Sequence, residues 1–277
     1  MEIHKPKPVH NWRELLTELG IVVLGVSIAL AAEQTVEYFH WRAQVVEARE
    51  FIATEMAGDL RLAIYRMRTA TCTERRLDEL GAVLDGAART GKLPPLGDIS
   101  MPPRGYWPSG AWESVVASQT ATHFPRQQLA DITLTYKIVT KLEEYTADEF
   151  AAWNSLYAMT GPGRRLDPAS EARLRDALSH ARSVGRLVAI MSDQLAARVN
   201  TLGLPFSPTD LALIDQGKQA PLLAPRTLLT GGGTAFGAIC APMGQAPSLY
   251  GQGYYNAAAP QIDDAVKNLP DFAKGAR

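Results

Sequence analysis

The chain has 277 residues, of which 46% are hydrophobic, and a formal net charge of −1. It can therefore bury a core, but it lacks the basic surface with which nucleic-acid-binding proteins neutralise phosphates. Its five histidines and two cysteines show no metal-ligand spacing. We expect no nucleic-acid partner, no metal and no cofactor.

The first predicted element is a membrane helix over residues 12–41. Residues 19–32 carry no charge, and apolar residues extend this run in both directions without a proline. At ~1.5 Å per residue such a helix would be about 45 Å long, whereas the hydrocarbon core of a bilayer is about 30 Å thick. Trp12, Tyr38 and Trp41 at its ends suit the two headgroup layers. We favour an uncleaved anchor.

Two other interpretations of this helix stay open. Residues Ala29–Ala31 resemble a signal-peptide cleavage site that follows a short apolar core. Glu14 and Glu18, which directly precede that core, are atypical of a leader. A charge-free run of this length is also found in buried helices of soluble proteins.

The positive charges near the helix predict its orientation. Lys5, Lys7 and Arg13 precede it, and the first positive residue after it is Arg42. Positive residues stay on the cytoplasmic side of a membrane span. We therefore expect residues 1–11 in the cytoplasm of a bacterium, the span in its inner membrane, and the rest of the chain in the periplasm.

One face of the predicted span combines small residues with carboxylates at its margins. Small residues let two helices approach, and carboxyl groups avoid lipid by facing protein, so this face is a candidate for contact with another membrane helix. Alternatively, the two carboxylates lie at the two interfaces in water. The face consists of Glu18, Val22, Gly25, Ala29 and Glu33.

Two segments of the sequence stand out by their order and pairing. The first is E-L-G-I-V-V-L-G-V-S-I-A-L-A-A-E-Q at residues 18–34. The second is W-P-S-G-A-W-E-S-V-V-A-S at residues 107–118, followed by a helix patterned with leucine and tyrosine at residues 129–145. Together they resemble a group of uncharacterised bacterial single-pass membrane proteins, which implies a membrane helix that leads into an extramembrane helical domain. It implies no activity, so no catalytic residue follows from it.

Residues 42–216 predict an all-α bundle, because apolar residues recur at helical spacing and no run alternates like a strand. In the first helix Arg49, Glu55, Asp59 and Arg66 are predicted on the polar face, opposite the core. Thr73 is predicted to cap the second helix and Gly91, followed by Pro94, to end it. Asp167 is predicted to cap the helix that begins at Pro168. The expected helices cover residues 42–69, 73–88, 111–122, 126–159, 168–202 and 208–216, and four of them are the principal helices of the bundle.

Two polar or aromatic groups within this domain are candidate sites. Tyr106, Trp107 and Trp112 could line a pocket, although such a cluster more often packs the end of a bundle, which is the interpretation we favour. An acidic run on the helix predicted over residues 126–159 lacks the histidines of a di-iron site, so we predict that it is a solvated face. It comprises Glu143, Glu144, Asp148 and Glu149.

The tail over residues 217–277 is rich in glycine, alanine and proline, with no charge between Arg226 and Asp263. Disordered tails are usually charged or strongly polar, so we expect this one to lie against its own bundle or a partner. Cys72 and Cys240 are predicted to form a disulfide, because thiols are oxidised outside the cytoplasm. Cys72 is expected at an exposed turn between the first two helices of the bundle.

No catalytic motif frames the serines, histidines and acids of this sequence. We expect a non-catalytic accessory or scaffolding subunit of an inner-membrane complex. Its partners would be other membrane subunits or a second copy, together with the lipid bilayer. The alternative is a periplasmic bundle that binds or senses a small molecule.

Overall fold

The computed structural model describes residues 12–219, 238–240, 243 and 266–275. Features predicted elsewhere, such as Lys5 and Lys7 before the span and most of the tail, lie outside the described residues. Within them the chain is helical, and the all-α prediction is confirmed. The helices are α1 (Trp12–Thr90), α2 (Gly110–Ala117), α3 (Arg126–Leu156), α4 (Pro168–Thr201) and α5 (Pro208–Gln219).

Helix α1 is continuous over 79 residues, about 120 Å at ~1.5 Å per residue. The predicted break before Thr73 is wrong. The Thr73 hydroxyl donates to the carbonyl of Thr69 at 3.0 Å, one turn back, so this threonine lies inside the helix and caps nothing. No glycine or proline stands nearby to end the helix. It ends where the sequence predicts, before Gly91, whose φ of +68° is a left-handed conformation suited to glycine.

Because the helices predicted over residues 42–69 and 73–88 are one, the described part of the bundle has three long helices, α1, α3 and α4, where four principal helices were predicted. Helices α3 and α4 pack against each other, α4 also packs against α1, and α5 covers a further part of α1. The predicted start of α4 is confirmed. Asp167 caps it by accepting a hydrogen bond from the Ser170 backbone N–H at 2.9 Å, and Pro168 occupies the first helical position.

Between α1 and α2 the chain returns along α1 in an extended conformation. It first forms a two-residue strand, β1 (Lys92–Leu93), which pairs antiparallel with β2 (Arg164–Arg165). Further on, two buried arginines of α1 hold it through its backbone carbonyls. Arg76 donates to the carbonyl of Ile99, and Arg66 donates to that of Pro103 at 2.8 Å. Ile99 contacts Arg76, and Pro103, four residues later, contacts Arg66, which lies closer to the start of α1. This return segment therefore runs antiparallel to α1.

The return segment lies very close to α1 at Gly105. A Cβ atom at this position would come within 2.5 Å of Leu62 Cδ2, a distance that real Cβ atoms do not tolerate. Only glycine therefore fits between the segment and the helix without displacing the leucine. This close approach lets α2 begin beside the middle of α1.

Candidate functional site

The first part of α1 stands alone. Every described side chain from Leu15 to His40 is exposed, including the apolar ones. Within the described part of the chain, α1 is the one helix that is long and apolar enough to cross a membrane, and none of its most apolar window is buried by the protein. The predicted membrane helix thus has a matching element, which continues directly into the domain.

The predicted contact face of this part is uncovered. Glu18, Val22, Gly25, Ala29 and Glu33 are all exposed. No described atom other than the helix's own backbone and its nearest neighbours lies within 4 Å of a Cβ built on Gly25. The described chain therefore leaves this face free for another helix or for lipid.

The second part of α1 is covered on several sides and buries charged residues. Arg66 was predicted on a polar face and Glu149 on a solvated one, and both predictions are wrong. The two form an ion pair with a distance of 2.6 Å between Arg66 Nη2 and Glu149 Oε2, and their side chains are only 4% and 3% exposed. Gly185 of α4 allows this pairing, since a Cβ there would stand 3.0 Å from Glu149 Oε1. The pair joins α1 to α3 inside the bundle.

A second group of largely buried polar side chains lies closer to the exposed N-terminal part of α1. The Tyr136 hydroxyl donates to Glu55 Oε1 at 2.7 Å, and the Ala111 backbone N–H donates to Glu55 Oε2 at 3.0 Å. Asp59, one turn along α1, is fully buried, and neither of its oxygens accepts a hydrogen bond from the described residues. The prediction of Asp59 on the solvent face is therefore wrong.

Burial raises the pKa values of Asp59 and Tyr136 in this group. Loss of water raises the pKa of Asp59 well above that of an exposed aspartate, and the nearby Glu55 raises it further. Burial also raises the pKa of Tyr136, with a further increase from its hydrogen bond to Glu55. The neutral forms of Asp59 and Tyr136 are thus favoured in the folded protein.

The three aromatic residues proposed as a pocket or core cluster do not act together. Tyr106 is 93% exposed, which contradicts its prediction as a packed residue. Trp107 is buried, and its indole N–H donates to Thr146 Oγ1 at 3.1 Å. Trp112 is partly buried and stacks on Tyr136 with ring centroids 5.7 Å apart. Two of the three therefore belong to the core.

The tail is attached to α1 at the predicted cysteines. The sulfur atoms of Cys72 and Cys240 lie 2.03 Å apart, at disulfide distance. The predicted place of Cys72 is wrong, because it lies inside α1 and is only 3% exposed. Ile239 is fully buried beside the bond, and Arg75 donates to the carbonyl of Cys240 at 2.7 Å. Residues 238–240 thus form part of the core and are bound through both a side chain and the backbone.

A groove opens where α1 leaves the exposed part and meets the domain, which we call the juxtamembrane groove. It has a volume of about 620 Å³ and is lined by Tyr38, Trp41, Arg42, Val46, His123 and Gln128, among others. The rings of Trp41 and His123 stack with centroids 3.9 Å apart. Tyr38 and Trp41, at the end of the predicted span, were one signal for this groove, but nothing in the sequence indicated that His123 would contact Trp41.

No protein-family model, no curated protein and no solved structure matches this chain. The fold and the exposed helix nevertheless define a class of architecture. It is a helical domain built around the distal part of a helix whose proximal part could span a membrane.

Proposed function

We propose that this protein is a membrane-anchored, non-catalytic scaffolding subunit that holds its helical domain at a fixed height and orientation above a bacterial inner membrane. The continuity of α1 is the observation that carries this proposal. The helix passes from its exposed apolar part to the buried centre of the domain without a loop. A helix transmits both distance and rotation, whereas a flexible linker transmits neither.

The contacts of the α1 arginines support a structural role. The buried Arg66 and Arg76 donate to backbone carbonyls of the return segment, and the half-buried Arg75 donates to the carbonyl of Cys240 in the tail. These charge-assisted hydrogen bonds join distant segments of the chain to α1. The proposed partners are other membrane subunits or a second copy, in contact with the free face around Gly25.

The proposed orientation places the domain in the periplasm, because the positive residues cluster before the span. A reporter enzyme active only outside the cytoplasm, fused after Gly203, should therefore be active. Activity only of a cytoplasmic reporter at the same position would contradict the orientation.

The scaffolding role can be tested by uncoupling the span from the domain. A seven-residue glycine-rich insertion after His40, the last residue of the exposed part of α1, should leave membrane insertion intact but reduce the recovery of copurifying subunits in mild detergent at least about fivefold. A seven-residue alanine-rich helical insertion at the same place adds about two turns, ~10 Å, while keeping the helix continuous. The same glycine-rich insertion after Gly163, in the loop before β2, serves as the control and should leave recovery unchanged.

Each result discriminates. Loss of the partners with the flexible insertion alone would show that rigidity matters, and loss with both insertions after His40 would show that height matters as well. Equal recovery with all three insertions, or a wild-type chain that copurifies with nothing and does not self-associate, would contradict the proposal.

A further inference from the structure

The juxtamembrane groove lies at the depth of lipid headgroups if α1 crosses the membrane as proposed. The exposed apolar stretch is centred near Ser27. A hydrocarbon core about 30 Å thick, centred there, ends about ten residues later, near Glu37. Tyr38, Trp41 and Arg42 then fall within the headgroup layer, which is ~5–8 Å thick on each side.

The groove is formed by two separate parts of the chain. Helix α1 supplies one wall, and the 3₁₀ turn Thr120–His123 with the start of α3 supplies the other. The Trp41–His123 stack, with an angle of 12° between the rings, joins the two walls. Its volume of about 620 Å³ is in the range of small-molecule sites, ~300–1,000 Å³.

The charges that line the groove favour a phosphate. Arg42 and His123 are exposed, and Arg49 lies higher in the groove, where it donates to the carbonyl of Gly203 at 2.7 Å. The carboxylate of Glu37, which also lines the groove, accepts a hydrogen bond from the Trp41 indole N–H at 3.2 Å. Guanidinium groups bind phosphate oxygens with two hydrogen bonds. Tyrosine and tryptophan rings are common at the boundary between the headgroups and the acyl chains, where Tyr38 would lie.

We propose that the juxtamembrane groove binds the phosphodiester headgroup of a phospholipid from the leaflet that faces the domain. Arg42 and His123 donate hydrogen bonds to the phosphate oxygens, and the upper part of an acyl chain lies along the exposed Tyr38 ring. The bound lipid joins the domain to the membrane at a second place beside the helix. This inference rests on the proposed membrane anchor.

The test uses the full chain in detergent micelles that contain phosphatidylglycerol. Native mass spectrometry should show retained lipid on the wild-type protein, and the Arg42→Gln/His123→Gln variant should retain at least about fivefold less. Arg13→Gln is the matched control, because it removes one exposed arginine from the opposite end of the same helix. It should retain as much lipid as the wild type.

A second arm uses only the wild-type chain, so that a misfolded variant cannot mislead. Phosphatidylglycerol with a photoreactive group on its headgroup should crosslink to residues 38–46 and 123–128. Excess inorganic phosphate should not displace the lipid. Headgroup crosslinks that are as frequent at residues 12–18, at the other end of the span, or equal lipid loss in the Arg13→Gln control, would overturn the inference, and displacement by phosphate would assign the groove to a free anion.

Failure of this inference can be told apart from failure of the anchor. A chain that resists carbonate extraction from membranes but retains no lipid is anchored without a headgroup site. A chain that carbonate extracts from membranes would overturn the anchor and the headgroup site together.

Discussion

The two parts of α1 place opposite residues in opposite environments. Residues 12–40 expose leucine, valine, isoleucine and phenylalanine, whereas residues 52–76 bury aspartate and arginine beside their apolar neighbours. A helix of a soluble protein usually does the opposite, since it buries its apolar side chains and exposes its charged ones. The exposed part is consistent with a lipid surround, and the buried part is tolerable because most of its charges are paired or bound to backbone. One continuous helix therefore carries residues suited to two environments. The packing around each part of the helix determines whether an apolar or a charged side chain is stable there.

The largest effect is expected from breaking the buried ion pair. Arg66→Ala leaves the Glu149 carboxylate buried and unpaired, which should lower the free energy of unfolding by about 3–5 kcal/mol. Denaturant unfolding in detergent, followed by tryptophan fluorescence, measures this loss. Lys141→Ala breaks an exposed ion pair on the same α3 helix and should change stability far less.

The double variant Arg66→Met/Glu149→Leu sharpens this result. It removes both charges but leaves the Pro103 carbonyl without its donor, which costs about 1–3 kcal/mol. Its stability should lie between those of the wild type and Arg66→Ala. A double variant as unstable as the single one would mean that the lost hydrogen bond to the Pro103 carbonyl, and not the unpaired Glu149 carboxylate, causes the instability.

The next largest effect is expected from the tail attachment. Cys72→Ser/Cys240→Ser should lower the free energy of unfolding by about 2–5 kcal/mol, because the cross-link closes a loop with a sequence separation of 168 residues. Non-reducing electrophoresis of a sample nicked by protease between the two positions tests the bond directly. Fragments that separate without reductant would show that the tail is held by packing alone.

A pH-dependent effect is expected from Asp59. Its folded-state pKa is raised, first by burial and then by Glu55, so the folded protein holds this proton more tightly than the unfolded chain. The resulting stability is present below about pH 4, the ordinary aspartate range, and is lost as pH rises toward the folded-state pKa, by up to about 1.4 kcal/mol per pH unit.

Asp59→Asn should therefore be more stable than the wild type at pH 8 and closer to it at pH 5. Unfolding measured at both pH values tests the difference, and Asp176→Asn, which replaces an exposed carboxylate, is the control. An equal effect of Asp59→Asn at both pH values would show that Asp59 keeps its charge in the folded state.

The smallest effect on the chain itself is expected at Gly25. No described residue covers this position, so Gly25→Leu should leave the unfolding of the domain unchanged. If the face contacts another helix, the added bulk should reduce the size of the complex in detergent. Gly20→Leu, equally open but on another side of the helix, should have no such effect. Unchanged complex size with Gly25→Leu would favour two carboxylates at the interfaces in water.

Local signals in the sequence predicted the elements that depend on local chemistry. Asp167-Pro168 predicted the start of α4, and the glycine at 91 predicted the end of α1. The break at Thr73 was wrong, since a threonine in a helix can satisfy its hydroxyl on the preceding turn as well as cap a new helix. A threonine without an adjacent glycine or proline does not distinguish these two uses.

The buried polar residues could not be predicted, because their environment comes from distant parts of the chain. The apolar spacing of α1 indicated one buried face, but α4, α5 and the return segment cover others. Arg66 and Glu149 are separated by 83 residues, and Glu149 closely resembles its solvated neighbours in sequence. The juxtamembrane groove forms where Trp41 and His123 stack. These two residues lie far apart in the sequence, and no periodic pattern relates them.

The buried charges of α1 also bear on how the chain is made. Helix α1 leaves the ribosome before the return segment, α3 and α4 exist, so on the proposed anchor Asp59, Arg66 and Arg76 would meet the insertion machinery uncovered. A charged residue at the centre of a membrane helix costs about 2.5–3.5 kcal/mol during insertion. Glu37 and Arg42 would end the lipid-compatible sequence, and the later charges would keep the following turns of the same uninterrupted helix out of the bilayer. Arg66 and Arg76, which hold the return segment in the folded domain, would thus first oppose insertion of that part of the helix.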